Sequence, residues 1–304
     1  MAEGRGELSS DYVVLIPFYS NVGYLRETLQ SVVAQTDRRW RAIVVDDSPS
    51  DVGVADVVAS FGDDRIEARR NERNLGVAGS FNRCFEIAVE RRADLAMILH
   101  ADDVLEPDYI ATVRRAHDGS PDAACVATKV TVVGADGRRR RSLADAVKRA
   151  MWPRRVGRLE GERGLALLLR GQFFYCPGVS YRLAAVPLPA WNVRWEQVMD
   201  LELYGTILLG GGSIALEPRR VFRYRRHAQS MTQVNTATLL RTREETDVCR
   251  ELAARAQDQG WVRAARAGRR RFSVRAQALV QAVGLAAARR WRESMACLAM
   301  SASR

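Results

Sequence analysis

The apolar run at 95–99 empties into His100-Ala101-Asp102-Asp103, and Pro107 follows a few residues on. A short apolar run bounded by turn-forming groups reads as a buried strand, and Pro107 opens a helix. Carboxylates released at the carboxyl end of a strand in an α/β sheet stand where such sheets bind ligands. Two adjacent acidic oxygen donors suit a hard divalent cation, Mg²⁺ or Mn²⁺, bridging a diphosphate. Asp102 and Asp103 suit equally well the cap of the helix that follows. Two further strand ends carry polar groups: Tyr19 after the first, and Asp46-Asp47-Ser48 after the second. In a parallel sheet three such ends converge on one edge and can line one cleft.

The elements that would position these groups alternate. Strands are expected at 12–17, 41–45, 66–68, 95–99 and 123–133. Helices are expected at 24–35, where Leu25, Leu29, Val32 and Val33 recur at helical spacing, and at 81–89. Such alternation predicts a mostly parallel sheet flanked by helices. Beyond Gly134 the pattern breaks. Arg138 to Arg141 and Arg154-Arg155 flank what reads as a surface insertion. Strand-like pieces return at 173–181 and 222–225, with an amphipathic helix across 200–209 between them. From Thr236 the chain is rich in Ala, Arg and Leu, lacks Pro, and reads as two or three helices.

Composition narrows the class. With 304 residues, 47% hydrophobic and 27% charged, the chain is an ordinary globular protein of one large or two modest domains. The net charge is +11, but 14 Arg against 6 acidic residues after Asn235 place +8 of it in the tail. Those Arg interleave with Ala and Leu, so a solvated helix face, rather than a nucleic-acid reader, is the expectation. The five cysteines are scattered, with no Cys-x-x-Cys pair, which argues against zinc or a disulfide framework and fits a reducing cytoplasm. The first ten residues carry no apolar signal segment, and the apolar stretch at 206–216 is too short to span a bilayer. A dinucleotide site needs Gly-x-Gly-x-x-Gly after the first strand. Here Pro17-Phe18-Tyr19-Ser20-Asn21 stands instead, and no P-loop occurs. Any phosphates must be held by a metal and basic side chains.

Taken in order, the segments Val13 to Asn21, Ser31-Val32-Val33-Ala34-Gln35-Thr36, Ile43 to Ser48, Asn74-Leu75-Gly76-Val77-Ala78-Gly79-Ser80-Phe81-Asn82 and Ala101-Asp102-Asp103 resemble the family 2 glycosyltransferases of the GT-A fold. The resemblance runs from about Tyr12 to Thr232. It implies an inverting transferase that uses a nucleotide-diphosphate sugar, UDP-linked above all, with Mn²⁺ or Mg²⁺. It also implies a GT-A domain over 1–233, with a Rossmann-like nucleotide-binding half at 1–133 and an acceptor half at 134–233. A helical C-terminal extension would follow at 234–304.

Position by position, the resemblance puts Pro17 and Tyr19 on the nucleotide pocket. Asp47 becomes the carboxylate for base or ribose hydrogen bonds, an acceptor-only group suited to a uracil N–H. Asn74, Gly76 and Asn82 fall in the nucleotide-proximal loop and helix start. Asp102 and Asp103 match the ribose and metal carboxylates, and His100 stands where the family usually has a further Asp. Glu196 to Leu203 resembles an acidic pair leading a helix, Met199 replacing the first acid and Asp200 matching the catalytic base, with Glu196 and Glu202 as rivals. Tyr224 to Thr232 resembles the closing motif. There, Arg226 and His227 would face the diphosphate, with His227 at the metal. The acceptor, whether glycan, lipid-linked or a small natural product, is not identified by this reading. A homodimer and peripheral contact with the inner face of a membrane are both compatible with the tail. The competing readings are a sugar nucleotidyltransferase, which would need a Gly-rich phosphate grip after the first strand, and a basic membrane-peripheral protein.

Overall fold

The computed structural model describes residues 12–140, 142–227, 240–287 and 289–302. They divide into two compact units. The first comprises the described parts of 1–145 with 174–193 and 214–226. The second comprises 146–173, 194–213 and the described parts of 227–304.

In the first unit, strands β1 (Tyr12–Phe18), β2 (Trp40–Asp46), β3 (Ile66–Arg70) and β4 (Leu95–Ile98) lie parallel in the order β3-β2-β1-β4. The sheet continues through β8 (Val179–Arg182), β6 (Cys125–Val133), β9 (Ser213–Arg225) and the two-residue β5 (Val104–Leu105). There β8 runs antiparallel to β4 and β6, whereas β6 and β9 are parallel. Helices α1 (Val22–Val33), α2 (Val54–Ala59), α3 (Gly76–Glu90) and α4 (Tyr109–Asp118) connect the strands. The β1 side chains are buried on both faces, as the run Tyr12-Val13-Val14-Leu15-Ile16 requires.

Several expectations shift. The helix expected at 81–89 begins at Gly76, because the Asp47 carboxylate accepts the N–H of Leu75 and supplies the cap that Leu75 itself lacks. Asp102 and Asp103 do not cap the next helix. It starts at Tyr109, and β5 pairs with β9 in the interval. Arg138 to Arg140 folds back on β6, with Arg140 N donating to Val132 O at 2.9 Å. Arg141 lies outside the described residues.

The second unit contains β7 (Arg158–Glu160), α6 (Gly161–Arg170) and α7 (Met199–Leu209), and α5 (Leu143–Met151) runs into it from the first. Helix α7 is buried on nearly all sides rather than amphipathic. Among the described residues the tail, expected to hold two or three helices, forms α8 (Leu240–Asp258), α9 (Val262–Arg270), α10 (Phe272–Ala287) and α11 (Trp291–Ala302). Helix α8 packs on α7, and α9 packs on α6 and α8, all within the second unit. Two glycines permit the approach. A Cβ on Gly205 would stand 2.5 Å from Leu252 Cδ1, and one on Gly268 would stand 2.7 Å from the Cys249 carbonyl oxygen.

Candidate functional site

The acidic turn after β4 gathers three groups able to hold a metal. His100, Asp102 and Asp103 each offer a donor atom, all within 4.8 Å of one another. Asp103 is fully buried. Its Oδ1 accepts the backbone N–H of Arg225 at 2.7 Å, while its Oδ2 has no hydrogen-bond partner and lies 3.8 Å from His100 Nδ1. Burial, and then the neighbouring Asp102 charge, push the Asp103 carboxyl well above the usual carboxylate range. A buried acid with one idle oxygen, beside a second acid and an imidazole, fits a divalent cation. The cation would satisfy that oxygen and cancel the repulsion. His100 thus stands among the metal-capable groups, although the sequence departs from the family pattern there.

Arg225 holds this turn. Its side chain is 3% exposed and reaches three ways. Nε donates to Asp102 O at 2.8 Å, Nη1 to Ala135 O at 3.0 Å, and Nη2 to Glu27 Oε2 at 2.5 Å. The guanidinium also sits 4.7 Å from the centroid of the Tyr24 ring. Thr28 Oγ1 donates to Asp103 O at 2.8 Å from the same helix, α1. Sequence reasoning chose Arg226 from the Arg225-Arg226 pair and passed over Arg225. Two adjacent arginines at a strand end point opposite ways, and only packing selects the buried one. Arg226 instead pairs with the buried Asp145 at 2.7 Å, an acid that also accepts from Tyr175 at 2.8 Å and from Ser142.

The second strand end is equally committed. Asp47 accepts from Asn71 Nδ2 at 2.8 Å, from Leu75 N at 2.9 Å and from Asn74 Nδ2 at 3.2 Å, so its carboxylate shapes the 71–75 loop. Asp46 is held by Arg70 at 2.6 Å. Tyr19, at the end of β1, is 60% exposed and offers an open ring face. Pro17 lies within β1 in register with Val45. Asn82 donates to Trp191 O at 2.7 Å and accepts from Trp191 N at 2.9 Å, which leaves one N–H and one lone pair of its amide.

Within the second unit, Asp200 sits in the first turn of α7, two residues after the N-cap Val198. Its Oδ2 accepts from Gln172 Nε2 at 2.5 Å and its Oδ1 from Leu201 N at 2.9 Å. The positive end of the helix dipole suits an anion at that point. The preceding turn is closed by buried Glu244 of α8, which accepts Glu196 N at 3.0 Å and Gln197 N at 2.8 Å. Glu244 went unread in the sequence, where it is one charge among many in an Arg- and Glu-rich stretch. The rival Glu196 is exposed, and Glu202 lies one turn into the helix. His227 belongs to this unit and is not among the three metal-capable groups above.

A parallel half-sheet with carboxylates at its carboxyl edge, continued by mixed strands, defines the GT-A class of fold. The solved structure of residues 1–349 of S. aureus TarS shares it with a TM-score of 0.59 at 16% identity, over 86% of this chain and 70% of that one. The Pyrobaculum calidifontis mannosyltransferase PcManGT, solved with GDP-Man and Mn²⁺, shares it with a TM-score of 0.58 at 15% identity, over 97% and 88%. The model of glycosyl transferase family 2 matches residues 13–185, more than half of the chain, and the chain belongs to that family. Among curated relatives, the putative teichuronic acid biosynthesis glycosyltransferase TuaG of Bacillus subtilis is 32% identical over 99 residues, 32% of this chain and 38% of that protein. The chain spans less than half the length of the curated relatives it matches.

Proposed function

We propose that the chain is a metal-assisted, inverting glycosyltransferase that moves a sugar from a UDP-sugar to a nucleophilic oxygen or nitrogen of its acceptor. The observation that carries this reading is Asp103. It is a fully buried carboxylate with an unbonded oxygen, grouped with Asp102 and His100 at the edge where parallel α/β sheets take their ligands. Family membership supports it, and so does TarS, a protein of like fold that was solved in complex with UDP-GlcNAc.

The three grouped residues would hold Mn²⁺ or Mg²⁺, which when bound supplies positive charge to the departing diphosphate. Asp102 also takes the ribose, as the family resemblance implies. Tyr19 offers its ring to the base, and Pro17 belongs to the same pocket, as the family resemblance implies. Asp47 takes the base or ribose hydrogen bond while it holds the 71–75 loop. Of the closing pair, His227 serves the diphosphate, and Arg226 gives part of its charge to Asp145. Asp200 is the base. As the acceptor atom bonds to the anomeric carbon and the bond to the diphosphate breaks, Asp200 receives the acceptor's proton. Gln172 orients its carboxylate for that transfer.

The test is calorimetry and thermal shift with UDP and GDP, each with Mn²⁺, Mg²⁺ or EDTA. UDP with Mn²⁺ should stabilise the fold by about 2.7 kcal/mol at a hundredfold excess over Kd. Asp103→Asn should fold yet lose the metal-dependent part. Unchanged UDP affinity in EDTA would sink the metal assignment, and absence of any nucleotide binding would sink the function.

A further inference from the structure

The final two helices present an apolar face to solvent. Phe272 is 69% exposed, Val283 71%, Trp291 63% and Met295 64%, and Leu279 and Leu298 are exposed as well. At roughly 100° per residue, Phe272, Leu279 and Val283 form one stripe along α10, and Trp291, Met295 and Leu298 form one along α11. The helices pack as an antiparallel hairpin. Ser294 Oγ donates to Ala282 O at 2.8 Å, and Ala282 is buried against Cys297. On each helix the stripe lies about a quarter turn from this seam, in the same rotational sense. Equal rotation on antiparallel helices brings both stripes to the same side of the hairpin.

Both ends of the hairpin are basic. Between 262 and 304 the chain has ten arginines and a single acidic residue, Glu293. Arg269 and Arg270 precede α10, while Arg289, Arg290 and Arg292 cluster at the hairpin turn, and all five are exposed. No helix among the described residues is long and apolar enough to cross a membrane. We infer that this face docks on an anionic membrane surface, with the stripes at the acyl boundary and the arginines on lipid phosphates. Interfacial helices combine an apolar face with Lys or Arg in this way, and exposed Trp and Phe belong at that depth. A second copy of the chain is a poorer occupant, because it would set arginine clusters against arginine clusters in a desolvated contact. The inference stands apart from the donor site and does not depend on it.

The experiment is co-sedimentation of the full chain with vesicles of phosphatidylcholine alone or with about one-third phosphatidylglycerol, at low and high salt. Binding should require the anionic lipid and fall as salt rises. Arg289→Glu with Arg290→Glu, and separately Trp291→Ser with Val283→Ser, should each weaken it by about tenfold or more. Melting temperature and any nucleotide-induced shift should stay unchanged. If the Trp291 variant melts early, Phe272→Ser at the start of α10 asks the same question. Wild-type chain that ignores anionic vesicles, or variants that bind as before, would overturn the inference. So would a concentration-dependent dimer that Trp291→Ser dissolves, which would assign the face to a second copy.

Discussion

Asp200 and Arg225 are both held by several bonds, yet their substitution should read out differently. If Asp200 is the proposed base, Asp200→Asn removes the proton acceptor while leaving an isosteric partner for Gln172. Transfer should fall by about two to four orders of magnitude with donor affinity nearly intact. A purely structural role would instead cost about one kcal/mol and spare turnover. Melting temperature and transfer rate on Asp200→Asn and Glu196→Gln decide between them, and an inactive Glu196→Gln would move the base. Arg225→Met removes the donors to Asp102 O and Ala135 O and loosens the backbone of the acidic turn, while exposed Glu27 is left to water. Chemical denaturation should show a loss of about 3 kcal/mol. Arg225→Lys should recover part of the stability but not the three-way geometry, so the Mn²⁺ dependence of UDP binding should weaken more than stability does. Equal metal dependence in Arg225→Lys and wild type would reduce the residue to a packing role.

The elements obey their local signals, but their ends answer to neighbours. The β1 run needs no help, whereas α3 starts where Asp47 reaches it from the next strand end. The last turn of α4 carries His117, buried and hydrogen-bonded through Nε2 to Ser180 Oγ of β8 at 3.0 Å. Burial, then the Arg182 charge, pulls the His117 ring down from its ordinary 6.5 to about 3. The native state therefore binds fewer protons than the unfolded chain between those values. Its contribution to stability is intact above pH 6.5 and is lost as pH falls toward 3, with a slope of at most about 1.4 kcal/mol per pH unit. Urea midpoints should decline across that window in wild type and decline less steeply in His117→Gln. Parallel slopes would show that another group drives the acid limb.

On the scale of the whole molecule, the tail is two different things. Helices α8 and α9 complete the second unit, since Glu244 closes the turn before α7 and Gly268 lets α9 lie against the backbone of α8. Removal of 236–304 should therefore lower the melting temperature by about 10 °C or more, or yield insoluble protein. Removal of 272–304 should leave both the fold and nucleotide binding in place, and should abolish vesicle binding. Gly268→Ala should destabilise by about 1–3 kcal/mol, because the overpacking outweighs the gain in helix propensity. A chain cut at 236 that melts like wild type would show the tail helices to be dispensable.

Patterns that act over a few residues are legible in the amino-acid sequence itself. The strand runs, the acidic turns that end them and the family motifs in their order need only local propensity, period and spacing. They place Asp102 and Asp103 on the carboxyl edge of the sheet and the fold in its class. Groups whose meaning depends on a partner far along the chain are not legible there. Arg225 meets Glu27 across 198 positions, Asn82 meets Trp191 across 109, and Glu244 meets Gln197 across 47. In sequence these are an arginine beside another arginine, an amide in a motif and an acid in a charged helix. Tertiary packing decided which of them were buried, and once buried each had to find its hydrogen bonds, because an unsatisfied polar group inside a fold costs more than the bond returns.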